Sequence, residues 1–276
     1  MTFATVMVSL ALNQPNETRL EVAGQLAEQF GATMIGIAAA QFAPPVYFTT
    51  GEQAQLLIDE ETSALAERLD ELETQFREAC KHRSKSLEWR SAVDFPTRFV
   101  LQAARAADII VDGGRSPAFS DAFALASPKD LVMQTGRPLL VVPDRVDWLD
   151  LRSVLVAWKD TPEARRAVAD ALPLLRKARQ VTVAEIAEAG KLGAAATSSV
   201  QDVVAWLSRH GISAHERVSA GDSGDVAARL DDIAGEAGAS LIVAGAYGHS
   251  RFRELILGGV TQHLINQSAR CVLLSH

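Results

Sequence analysis

Residues 239–245 read ASLIVAG and residues 107–113 read ADIIVDG, the same pattern with three changes. Each is a short run of aliphatic and β-branched residues closed by glycine, the composition of a strand buried on both faces. The segments around this pair recur in the same order. TVMVSL (Thr5–Leu10) and SVLVAW (Ser153–Trp158) each precede an amphipathic helical pattern, at Glu17–Phe30 and at 162–179. A second strand follows each helix, at 33–38 and 181–186. PLLVV (138–142) and CVLLS (Cys271–Ser275) close the two halves, each directly after an arginine, Arg137 or Arg270. Apolar strands that alternate with helices predict a parallel sheet covered on both faces, and the repeat predicts two α/β units, each of about five strands. The segment 143–150, PDRVDWLD, carries a proline and three aspartates between the copies. The division falls there, into 1–146 and 147–276.

With 276 residues, 48% of them hydrophobic, the chain is long enough for two ordinary cores. Its net charge of -7 is one-sided: Asp and Glu outnumber Lys and Arg by 20 to 13 over residues 1–148 and balance them at 14 to 14 over 149–276. Much of the excess lies on a long helical pattern from Gly51 to about Lys85, with Leu56, Leu57, Leu65, Leu69, Leu72 and Phe76 on one face and acids on the other. Its acidic stripe reads as a solvated face. Charged or polar residues interrupt every apolar run before the roughly 18 residues of a membrane span, and the N-terminal MTFATVMVSLAL lacks a cationic leader and reads as a strand. The expectation is a cytoplasmic protein. No Lys/Arg block offers a footprint for nucleic acid. The two cysteines, Cys80 and Cys271, form no disulfide or metal pattern; Cys271 reads as a core residue, and Cys80, followed by Lys81, Arg83 and Lys85, is the better candidate of the two for a reactive thiol, with an ordinary helix cysteine the favoured reading.

The segment that points to chemistry is GAYGHSRFRELILGGVT, residues 245–261, between a strand and an amphipathic helix at 260–267. In open α/β sheets ligands bind at the carboxyl ends of strands. Gly245 and Gly248 can take positive φ and bring N–H groups to an anion, and Gly258 and Gly259 stand where a helix N-terminus favours phosphate. Thr261 adds a hydroxyl one turn in. Against this stands the plainer reading of a tight turn with solvated Arg251 and Arg253.

The spacing Gly-x2-Gly-x9-Gly resembles the nucleotide loop of the universal stress protein family, in which Ser or Thr follows the third glycine. VLVAWKDTPEARRAVADALPLL (154–175), SAGDSGDVAARLDDIAGEAGASLIVAG (219–245) and CVLLSH (271–276) resemble the family's first strand and helix, its third helix and fourth strand, and its last strand. The resemblance covers 149–276 and, more weakly, 1–148. It implies two tandem doubly wound domains of strand order 3-2-1-4-5 whose fifth strands meet antiparallel, so that the halves pair within one chain as a family dimer does. It further implies ATP or another adenine nucleotide at Gly245, Tyr247, Gly248, Gly258, Gly259, Val260 and Thr261, with Ala157, Trp158 and Lys159 lining the base or ribose side.

The chain departs from the family at two informative places. Gly259 replaces the hydroxyl residue after the third glycine, and Lys159 stands where ATP-binding members have an Asp that accepts from adenosine; a lysine only donates. In the first half the loop reads GGRSPAFSDAFALASP (113–128), with Ser116 at the second glycine position and Asp112 set to repel a triphosphate. Three functions stay open: a non-catalytic stress-response protein regulated by nucleotide in its second half; a nucleotide-independent module for an unidentified protein partner, or for a second copy of itself as a homodimer; and a weak ATP hydrolase. The last lacks a Walker motif and a carboxylate pair for magnesium. No histidine spacing suggests a metal site.

Overall fold

The computed structural model describes residues 2–42, 51–114, 122–188, 194–221, 226–246 and 259–276. The elements alternate as the repeat predicts. The first half runs β1 (Thr5–Leu10), α1 (Glu17–Phe30), β2 (Thr33–Ala40), α2 (Gly51–Cys80), β3 (Leu87–Val93), α3 (Pro96–Ala103), β4 (Ile109–Gly113), α4 (Pro128–Gln134) and β5 (Leu139–Val142). The second runs β6 (Ser153–Trp158), α5 (Pro162–Leu175), β7 (Gln180–Glu188), α6 (Ala194–Arg209), β8 (Ala214–Gly221), α7 (Val226–Glu236), β9 (Leu241–Gly245), α8 (Gly259–Asn266) and β10 (Cys271–Ser275). Strand order is β3-β2-β1-β4-β5 in the first half and, mirrored, β8-β7-β6-β9-β10 in the second.

The chain separates into compact units at Phe3–Arg137 and Pro138–His276. In the first, β1 is central: Val6 to Val8 pair in parallel with Ile109 to Val111 on one side, and Thr5 to Leu10 with Thr33 to Ala38 on the other. Pairing on both sides closes the edges of β1, α1 packs against β1 and β4, and Val6, Met7, Val8, Ile109 and Ile110 are fully buried. Helix α1 packs with α2 and α3 packs with α4. That pairing agrees with right-handed crossovers that run one way from β1 to β3 and then back to β4. Gly36, inside β2, makes room for α2. A Cβ there would stand 2.7 Å from the Trp89 ring and 2.8 Å from the Phe76 ring, which pack with centroids 5.7 Å apart.

The second unit repeats this plan around β6, which pairs in parallel with β7 and β9. Strand β5, the last in the first half's order, clusters with this unit by its contacts. The reason is its partner: Leu139, Leu140 and Val141 pair antiparallel with Leu274, Leu273 and Val272 of β10. All six are buried, and two apolar strands cover each other's edges.

Small details repeat as well. Thr135 Oγ1 accepts from Arg137 N–H at 3.2 Å ahead of β5, and Ser268 Oγ accepts from Arg270 N–H at 3.2 Å ahead of β10. Two helices stop short of their sequence pattern, α2 at Cys80 and α5 at Leu175.

Candidate functional site

The second unit reverses its strand order between β6 and β9. A crevice at the carboxyl ends of those strands is where an open α/β sheet takes a ligand. Three described segments reach it: the end of β6 with Lys159, the first turn of α5, and Gly245. Thr161 caps α5, its Oγ1 accepting from Ala164 N–H at 3.3 Å, and Pro162 occupies the first turn, where a missing N–H costs nothing.

Gly245 is required here for a reason different from the expected one. It lies in the strand without positive φ, and a Cβ on it would stand 2.4 Å from Ala164 N and 2.7 Å from Glu163 C. Its missing side chain lets the helix N-terminus approach the strand end, so two sets of backbone groups come together. Gly259 opens α8 with nothing within 4 Å of its Cβ position, Val260 is half-buried, and Thr261 is buried in the helix's first turn. Tyr247, Gly248 and Gly258 lie outside the described residues, as do Arg251 and Arg253.

On the β6 side, Ala157 is half-buried and Lys159 is exposed. Trp158 is 7% exposed, and its indole Nε1–H donates to Ser199 Oγ on α6 at 2.7 Å. Ser199 donates onward to Glu185 Oε2 on β7 at 3.3 Å. Burial pushes the Glu185 carboxyl above the usual range against the Ser199 hydrogen bond, with Asp160 adding to the rise and Lys159 opposing it. Ser199 and Glu185 carry no motif, and only the fold brings them to Trp158.

The corresponding place in the first unit is filled. Arg19, in the first turn of α1, is 3% exposed; its Nη1 donates to Ser9 O at 3.2 Å and stands 3.9 Å from Asp112 Oδ1. Its guanidinium lies over Gly113, where a Cβ would come within 2.3 Å of Nη2. Ser9, Gln14, Arg19, Asp112 and Gly113 leave a cavity of about 20 Å³, room for roughly one water molecule. Asp112 is therefore not an exposed repulsive charge, as the sequence suggests, but half of a buried ion pair.

Two further features differ from or escape the sequence reading. Cys80 is fully buried, and burial pushes its thiol up to about 11, so the basic residues after it do not make it reactive. His263 on α8 places Nε2 2.6 Å from Asp231 Oδ2 on α7 and Nδ1 3.1 Å from Gln267 Oε1. The pair ties α8 to α7, a contact invisible to spacing rules. Among the described residues no group of three or more His, Cys, Asp or Glu is placed to hold a metal ion, and no helix is long and apolar enough to cross a membrane.

Residues 151–276 match the model of the universal stress protein family. Comparison with curated proteins gives no match. Among solved structures, the chain is similar to a universal stress protein from Archaeoglobus fulgidus DSM 4304, with 17% identity and a TM-score of 0.75 over 98% of this chain and 95% of that one. It is also similar to a functionally unknown protein from Pseudomonas aeruginosa PAO1, with 13% identity and a TM-score of 0.61 over 99% and 92% of the two chains. A putative universal stress protein from Pseudomonas aeruginosa UCBPP-PA14 gives 13% identity and a TM-score of 0.60 over 99% and 93%.

Proposed function

We propose that this chain, which has a universal stress protein-like fold over nearly its whole length, is a non-catalytic stress-response protein of the cytoplasm that takes ATP or another adenine nucleotide in its second half, 147–276. The observation that carries this reading is the convergence of the α5 N-terminus on the end of β9 at the point where strand order reverses. The positive end of the α5 dipole then stands at the crevice, where it favours phosphate oxygens. The glycine spacing of 245–258 supports the same site. Ligand binding would bias a conformation or a partner surface rather than start a reaction. Isothermal titration of the full chain with ATP, beside Gly248→Val, tests it. Heat from the parent chain that is lost in the variant is expected; no heat at millimolar ATP would sink the reading.

The first half, 1–146, takes no nucleotide in this reading, because Arg19 already fills the corresponding place. A second reading, that the chain is a nucleotide-independent module for a protein partner, is favoured by the start of α2. Leu56 is 60% exposed there, and no residue from 54 to 64 is buried. Under it, Leu56→Glu abolishes partner recovery while Gly248→Val leaves it intact.

A further inference from the structure

We propose that Glu185 is the carboxylate with which the second unit holds the hydrogen-bond donors of its ligand, the hydroxyls of a ribose or an exocyclic amine. The inference rests on the nucleotide reading above and names a specificity-determining residue for it.

The site needs an acceptor that β6 does not supply. Lys159, directly after the strand, is a donor only, and the Asp160 carboxylate that follows is taken by Arg165. One strand away, Glu185 is the register partner of Trp158 on the last rung of the β6–β7 ladder. It thus stands where β6 stops and β7 continues for three more residues, one strand away from the crevice between β6 and β9. Lys159 and Asp160, which leave β6 toward α5, both act electrostatically on Glu185, so the carboxylate and the loop share one environment.

The carboxylate is also oriented. An indole N–H cannot accept, so Ser199 Oγ must accept from Trp158, which leaves its one proton to donate to Glu185 Oε2. The relay runs in one direction only, and its origin is a side chain fixed by burial. Oε2 is thereby occupied, while Oε1 accepts from no described residue. A half-buried carboxylate makes stronger hydrogen bonds than one in bulk water, and a preformed one loses less entropy on binding. Trp158 then acts through Glu185 as a positioning residue. Its own ring is turned into α6.

The test is isothermal titration of the full chain, Glu185→Gln and Ser199→Ala with three probes: ATP, adenosine and tripolyphosphate. Glu185→Gln is expected to weaken ATP and adenosine about tenfold and to leave tripolyphosphate unchanged, since losing a charged hydrogen bond costs about that factor. Ser199→Ala keeps the carboxylate and loses only its orientation, so about threefold is expected for the same two probes. Equal ATP affinity of Glu185→Gln and the parent chain would overturn this inference and leave the nucleotide reading standing. An equal loss for all three probes would overturn it too, because general damage to the fold spares none. No ATP binding by the parent chain would overturn the nucleotide reading, and this inference with it. If Glu185→Gln does not fold, Glu185→Asp, which retracts the carboxylate by one methylene, carries the same expectations.

Discussion

At the scale of single residues, the two glycines that bracket the loop do different work. Gly245→Ala would drive a Cβ into the backbone of α5, and such overpacking typically costs about 1–3 kcal/mol. Gly259→Ala meets nothing and should stay within about 0.5 kcal/mol of the parent chain; urea denaturation of both variants checks the contrast. Arg19→Ala removes the guanidinium that faces the buried Asp112 carboxylate and leaves its charge uncompensated beside the Gly113 N–H, an expected cost of about 3–5 kcal/mol, whereas Arg19→Met with Asp112→Asn should recover most of that loss. Both thiols are raised, Cys80 to about 11 and Cys271 to about 12, by burial. An aromatic disulfide reagent at pH 8 should label neither until the chain is unfolded. Because the folded thiols hold protons that unfolded ones release near pH 9, their contribution to stability is complete below pH 9 and is lost as pH rises toward 11–12. A denaturation midpoint that holds from pH 8 to pH 11 would contradict it. Gly245 is legible in the sequence as a motif glycine, yet its cause, the approach of Ala164, is not; Arg19 is invisible because one arginine in an amphipathic pattern reads as solvated.

At the scale of elements, the central strands are legible because both faces are buried and the sequence shows an unbroken apolar run. The outer strand β3 is not. LEWRSAV mixes Glu88 and Arg90 with Trp89, as suits an edge that must stay soluble, and periodicity alone cannot separate it from a loop. Helix α2 shows a second limit. Its apolar stripe continues through Leu57 and Ile58, but burial begins only at Leu65, with Leu69, Leu72, Phe76 and Cys80 following. A pattern records what a helix could bury, not what packs against it. Residues 54–64 therefore lean mainly on helical propensity, and short, weakly packed helices are marginal in water. Amide exchange of 54–64 should be at least about tenfold faster than that of 69–80 by mass spectrometry. Equal protection along the helix would mean that those turns are covered in solution.

At the scale of the whole molecule, the repeat is legible in the residues, whereas the antiparallel meeting of the two fifth strands comes from the family resemblance alone, and the structure has it between β5 and β10. Pairing partners across a long separation leave no local trace in sequence. Leu140→Ala should cost about 2–5 kcal/mol and should raise exchange at 271–275 as well as at the mutated strand. Loss of protection at 139–142 alone would contradict this. The same pairing has a consequence for biosynthesis. Leu139 to Val142 leave the ribosome well before Val272 to Leu274 exist, an interval on the order of ten seconds at ordinary elongation rates. Throughout that interval a fully apolar strand waits without its antiparallel neighbour, so a nascent chain stalled between the two is the species most in need of a chaperone.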